Sequence, residues 1–122
     1  MTRDFELIRK LLVFFDEKPD GSHVEVPDVG SEYSETQIKY HLVLMYEAGF
    51  LNCEPVKSST SDRVIRVIAF NLSWEGHEFL AKIRNDGVWQ KIQTAMTSKG
   101  GTLAFAVINQ LATKFALQAA GL

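Results

Sequence analysis

Tyr33-Ser34-Glu35-Thr36-Gln37-Ile38-Lys39-Tyr40-His41-Leu42-Val43-Leu44-Met45-Tyr46-Glu47-Ala48-Gly49-Phe50-Leu51 is a helix with both ends written into it. Ser34 is a capping residue and Gln37 stands three positions on, the spacing of a capping box. Glu35 places negative charge at the positive end of the helix dipole. Ile38, Leu42 and Met45 share one face, with Tyr46 beside them. Gly49 is the left-handed residue expected just past a helix end. Phe50-Leu51 then starts an extended apolar segment. The spacing predicts a helix over 34–48 that hands over directly to a strand.

Downstream, residues 50–56 and 63–72 read as two strands. The second carries the half-buried β-branched run Val64, Ile65, Val67, Ile68 and Phe70. Between them Lys57-Ser58-Ser59-Thr60-Ser61-Asp62 is polar and suits a hairpin tip. Ser73 caps a further helix, Trp74–Asn85. Asp86-Gly87 reads as a break, followed by a helix Val88–Lys99 with Trp89, Ile92 and Met96 at helical spacing. Gly100-Gly101 ends it, and Thr102 caps a long final helix. Upstream, Asp4–Glu17 has apolar residues at 5, 8, 11, 12 and 15, with Leu7, Val13 and Phe14 widening the stripe. Pro19-Asp20-Gly21 ends that helix with turn chemistry. In His23–Ser31, Val24, Val26 and Val29 are broken by Pro27 and Gly30, which predicts a short strand and loop rather than a helix. Trp74, Trp89, Phe79, Phe5, Phe14 and Phe15 lie on apolar stripes and are expected in the core.

A helix passing straight into a hairpin is how the recognition helix of a winged-helix domain meets its wing. Asn71-Leu72-Ser73-Trp74-Glu75-Gly76-His77-Glu78-Phe79-Leu80 resembles the strand-to-helix junction that follows the wing in many small winged-helix proteins. Taken with Asp4-Phe5-Glu6-Leu7-Ile8-Arg9-Lys10 and Pro19-Asp20-Gly21, the chain resembles a family of small uncharacterised proteins. These occur in bacterial genomes, prophages and phages and carry a domain-of-unknown-function label. The resemblance implies a winged-helix fold and a phage or mobile-element setting, with no assigned activity. The expected fold class is α+β: a winged-helix core over residues 1–86, extended by C-terminal α-helices over 87–122 as part of the same unit.

The chain has 122 residues, enough for one core. Its net charge is −2, which by itself demands no polyanionic partner. The distribution is uneven. Residues 1–56 hold 5 Lys/Arg against 11 Asp/Glu, and residues 57–122 hold 8 against 4. One cysteine, Cys53, excludes an intrachain disulfide and fits a reducing compartment. No apolar run stands behind a basic segment at the start, so a cytoplasmic protein is expected. The C-terminal stretch is interrupted by Asn109, Gln110, Lys114 and Gln118, which disfavours a membrane span.

No enzyme signature is legible, and neither a cofactor nor a metal is expected. His23, His41, His77 and Cys53 lack the short pairings of zinc sites. Glu75, His77 and Glu78 fall within one turn, but only Glu75 and Glu78 share a face. His41 is expected as a hydrogen-bonded or exposed histidine. The expected function is therefore a nucleic-acid-binding or regulatory module. The alternative is a protein-interaction module or scaffold that binds no nucleic acid. For duplex DNA the candidate contacts are Thr36, Lys39 and Tyr40 on the helix and Lys57, Arg63 and Arg66 on the wing. Glu35, Glu32 and Asp28 oppose such contact, so wing-led, weakly specific binding is expected. The final helix is apolar around most of its circumference, which predicts a homo-oligomer packed through Phe105, Ile108, Leu111, Ala112 and Phe115.

Overall fold

A computed structural model describes residues 1–101 and 103–122. It is α+β, with five helices and a two-stranded antiparallel sheet among the described residues. The helices are α1 (Phe5–Glu17), α2 (Glu35–Glu47), α3 (Trp74–Ile83), α4 (Asp86–Ser98) and α5 (Phe105–Ala119); the strands are β1 (Leu51–Lys57) and β2 (Val64–Leu72). The chain divides into two compact units, Met1–His77 and Glu78–Leu122, with α3 beginning in the first and continuing in the second. No described helix is long and apolar enough to cross a membrane.

In the first unit α1 is capped by Asp4, whose carboxylate accepts from the Glu6 and Leu7 amides. It buries Phe5, Leu7, Ile8, Leu11, Leu12 and Phe15, the stripe its periodicity predicts, and packs on α2 and β2. Lys18 then holds the turn by donating to the carbonyls of Asp20 and Ser22. No regular helix forms in 23–31. Val24 alone bridges to Ala69, its amide donating to the Ala69 carbonyl at 2.9 Å.

The ends of α2 follow its sequence. Ser34 Oγ accepts from the Gln37 amide (3.1 Å) and Gln37 Oε1 accepts from the Ser34 amide (2.8 Å), completing the capping box. At the other end Gly49 has φ +81°. The Gly49 amide donates to the Tyr46 carbonyl and the Phe50 amide to the Met45 carbonyl. That pair is a Schellman cap, which turns the chain into β1 at once.

His41 on α2 is 1% exposed. Its Nε2 accepts from the Asp4 amide at 2.8 Å, and its Nδ1 faces the Gln37 carbonyl at 2.8 Å. An amide can only donate and a carbonyl only accept, so the ring is the neutral Nδ1–H tautomer. Of the two expectations for His41, hydrogen-bonded or exposed, the first holds, and the residue ties the start of α1 to the body of α2.

β1 and β2 pair from Leu51↔Leu72 to Lys57↔Val64, with two irregularities. Phe70 and Ile65 are skipped in the pairing, so each is the extra residue of a bulge on β2. After β2, Ser73 closes the unit. Its amide donates to the Phe50 carbonyl (2.9 Å), its hydroxyl donates to the Gly49 carbonyl, and the same oxygen accepts from the Gly76 amide (3.1 Å). Gly76 is buried against the backbone of Phe50. A Cβ there would overlap the Phe50 carbonyl oxygen and stand 3.1 Å from its carbonyl carbon.

Trp74 departs from the sequence expectation. It is 75% exposed, not in the core. The buried stripe of α3 is Gly76, Phe79, Leu80 and Ile83. Trp74 lies two residues before Gly76, about 200° round the helix, and points away from that stripe.

In the second unit Asn85 caps α4 by accepting from the Val88 amide (3.0 Å). Asp86 and Gly87, read as a break, are instead the first turn of α4. A side-chain cap at position 85 lets the helix restart there, and Asp86 suits the positive end of the dipole. Val88, Trp89 and Ile92 are buried, and α4 packs on α5. Phe79 meets Phe105 edge-on at 5.1 Å between centroids, and Lys82 Nζ donates to Asn109 Oδ1 at 3.0 Å. The cap assigned to Thr102 lies outside the described residues. α5 starts after Ala104, whose side chain supplies no cap.

Two stability predictions follow from these contacts. Gly→Ala inside a helix ordinarily stabilises by about 0.5–1 kcal/mol. Gly76→Ala is expected to do the opposite, costing about 1–3 kcal/mol because backbone must shift; a urea midpoint at or above that of the natural chain would contradict it. His41→Leu strands the Asp4 amide and is expected to cost about 1–3 kcal/mol. His41→Gln, which keeps an acceptor, should recover part of that loss in thermal melts.

Candidate functional site

Two faces of α2 do different work. Ile38, His41, Leu42 and Met45 are buried. Thr36, Lys39, Tyr40, Val43 and Glu47 follow at i, i+3, i+4, i+7 and i+11 and form one outward stripe. The start of β2 faces this stripe. Between them runs an open groove of about 570 Å³. Thr36, Lys39, Tyr40, Val43 and Glu47 form its helical wall, and Arg63, Val64 and Ile65 its hairpin wall, with Met1 bordering both.

The bulge explains why the hairpin wall is apolar. Val56 pairs with Arg66 and Lys57 with Val64, which leaves Ile65 unopposed. An extra residue bends the strand and re-aims its side chain. Val67, two residues on, is 3% exposed, whereas Ile65 is 50% exposed and lines the groove.

The charges around the groove are mostly answered locally. Lys39 Nζ lies 2.9 Å from Glu35 Oε1, an i, i+4 pair on the same helix. Arg66 Nη1 lies 3.1 Å from Glu25 Oε1. Lys57, Arg63 and Glu47 make no ion pair among the described residues.

Of the six residues expected to meet DNA, the groove gathers Thr36, Lys39, Tyr40 and Arg63. Lys57 and Arg66 do not line it; Arg66 turns to Glu25 instead. Val43 and Glu47 complete a stripe that was readable from spacing. Ile65 was not readable as a site residue, because a bulge leaves no mark in a run of β-branched residues.

Elsewhere, the five residues expected to pack a second copy differ in burial within their own unit. Ile108 and Ala112 are fully buried, and Phe105, Leu111 and Phe115 are half-buried. Phe105 rests on Phe79, and Lys91 Nζ sits 5.7 Å over the Phe115 ring. The outer side of α5 carries Gln110, Thr113, Lys114 and Gln118 beside Val107 and Leu117, so the helix has a wet side after all. His77 Nδ1 stands 3.6 Å from Asp16 Oδ1, across to α1, while Glu75 and Glu78 are exposed. The three do not converge. Cys53 is half-buried, and burial pushes its thiol above the ordinary range.

A family model described as Hypothetical protein (DUF2513) matches residues 2–102. The chain belongs to this family. The match takes in every residue of the groove except Met1 and stops before α5. A protein of Haemophilus influenzae, titled "Uncharacterized protein", is 33% identical over 112 residues, covering 92% of each chain. No solved structure matches.

The geometry of the bulge is open to test. Ile65→Asp is expected to change stability by no more than about 1 kcal/mol, because the side chain is half in water. Val67→Asp buries an unpaired charge and is expected to cost more than about 3 kcal/mol. Equal losses at the two positions, read by chemical denaturation, would contradict the bulged register.

Proposed function

We propose that this chain is a non-enzymatic binding module on a winged-helix core, and that the α2–hairpin groove receives a segment of a protein partner. The winged-helix reading draws on element order. A helix, a single β-bridge at Val24, a capped helix and a hairpin follow one another, with α2 turning into β1 at Gly49. The resemblance to proteins of phages and prophages supports a regulatory role in a mobile element.

The observation that carries the choice of partner is the make-up of the groove. Tyr40, Val43, Val64, Ile65 and Met1 give it an apolar lining. Its helical wall bears Glu47 and, beside Lys39, Glu35. A phosphate backbone gains most of its affinity from cations and would meet these carboxylates. The first unit as a whole holds 8 Lys/Arg against 13 Asp/Glu. An exposed apolar groove edged by charge suits a protein segment better.

Duplex DNA is the second reading, favoured by one observation. Lys57 and Arg63 carry charge on the hairpin with no ion pair among the described residues. Contact would then be hairpin-led, with Thr36 and Tyr40 donating from the adjacent wall.

A photo-crosslinking amino acid at Tyr40 in living cells separates the two. The expected result is a discrete protein adduct that survives nuclease and disappears with Ile65→Asp. Adducts that nuclease removes, together with salt-sensitive retention of duplex DNA that weakens on neutralising Lys57 and Arg63, would overturn the protein reading in favour of DNA.

A further inference from the structure

Glu47 stands in the last turn of α2, which contains no basic residue. There it adds negative charge to the negative end of the helix dipole. The placement is locally unfavourable, and among the described residues nothing neutralises it. A negative charge set against the dipole on the wall of a groove is one that a basic group of a ligand would relieve. On the other wall Arg63 is equally unanswered, beside the bulged Ile65. Lys39 and Glu35 cancel one another at 2.9 Å. Met1, which borders both walls, is 69% exposed and adds to the apolar lining. Among the side chains lining the groove, what is left is one positive charge on the hairpin wall, Arg63, and one negative charge on the helical wall, Glu47, in a mainly apolar lining.

Resting on the protein-binding reading above, we propose that the groove selects a partner segment of opposite polarity. Its apolar residues fill the space between Tyr40, Val43 and Ile65. An acidic residue meets Arg63, and a basic residue meets Glu47. Charge complementarity of this kind sets orientation and rejects wrong partners more than it adds affinity. It also discriminates against nucleic acid, which offers one sign of charge only.

The test is selection of a random dodecapeptide display library on the full chain. The expected winners have an apolar centre with Asp or Glu on one side and Lys or Arg on the other. The Arg63→Glu chain should select peptides basic on both sides, and the Glu47→Lys chain peptides acidic on both sides. Each winner should lose on the order of tenfold in affinity on the mismatched variant. Ile65→Asp should abolish selection in every case. Winners that depend on Ile65 but ignore Arg63 and Glu47 would overturn the charge pattern and leave the groove standing. Winners indifferent to Ile65→Asp, no winners at all, or winners displaced by duplex DNA at low ionic strength would overturn the protein-binding reading, and the charge pattern with it.

Discussion

The first unit depends on one close approach, that of the first turn of α3 to the backbone of Phe50. The Phe50 carbonyl receives the Ser73 amide, and Gly76 lies against the same carbonyl with no room for a Cβ. The Phe50 amide is already committed to the end of α2. Phe50 is thus where α2 stops, β1 starts and α3 is fastened. Ser73 strengthens the junction with three hydrogen bonds, one of them the cap of α3 itself. Because backbone groups meet backbone groups there, a longer side chain at position 76 has no flexible neighbour to displace. The same geometry aims Trp74 outward, since the helix phase is set by Gly76.

A second tie fixes α1. His41 gives its Nε2 lone pair to the Asp4 amide, while the Asp4 carboxylate caps the helix that follows. One residue therefore serves both the start of α1 and its attachment to α2. With its inner face committed to α1 and β2, α2 has only its outer stripe left to offer. The groove is the consequence: a rigid helix on one side, a hairpin re-aimed by a bulge on the other. Its position comes from where the core ends and the hairpin continues.

The electrostatics of this face run against a simple tally of lysines and arginines. Two of the four cations expected to meet DNA, Lys39 and Arg66, are held by carboxylates within 3.1 Å. Surface pairs of this kind contribute little to stability, about 0–1 kcal/mol. What they do is neutralise two positive charges on this surface. The side-chain charges of the lining left without an ion pair are Arg63 and Glu47, one of each sign, on different walls of the groove. A family assignment supplies no ligand for this site, so the chemistry of the walls has to supply it.

The sequence by itself determined the elements and most of their ends, though it started α4 at Val88 instead of Asp86. Local rules sufficed: Ser34 and Gln37 for a capping box, Gly49 for a left-handed turn, Pro27 and Gly30 against a second helix, alternating β-branched residues for β2. It also determined which face of α2 is dry, since that follows from helical period alone. Only the tertiary structure decided the rest. It turned Arg66 to Glu25, 41 positions away in sequence, so a cation counted for the hairpin is answered from the loop after α1. It skipped Ile65 in the strand register, which no residue type announces. It set Phe105 edge-on to Phe79 and Phe115 under Lys91, contacts within the same unit that helical period alone does not specify. It put Trp74 in water, because helix phase was set by a contact between Gly76 and Phe50. Period and capping are properties of neighbours along the chain, whereas pairing, bulging and phase depend on residues brought together from far apart.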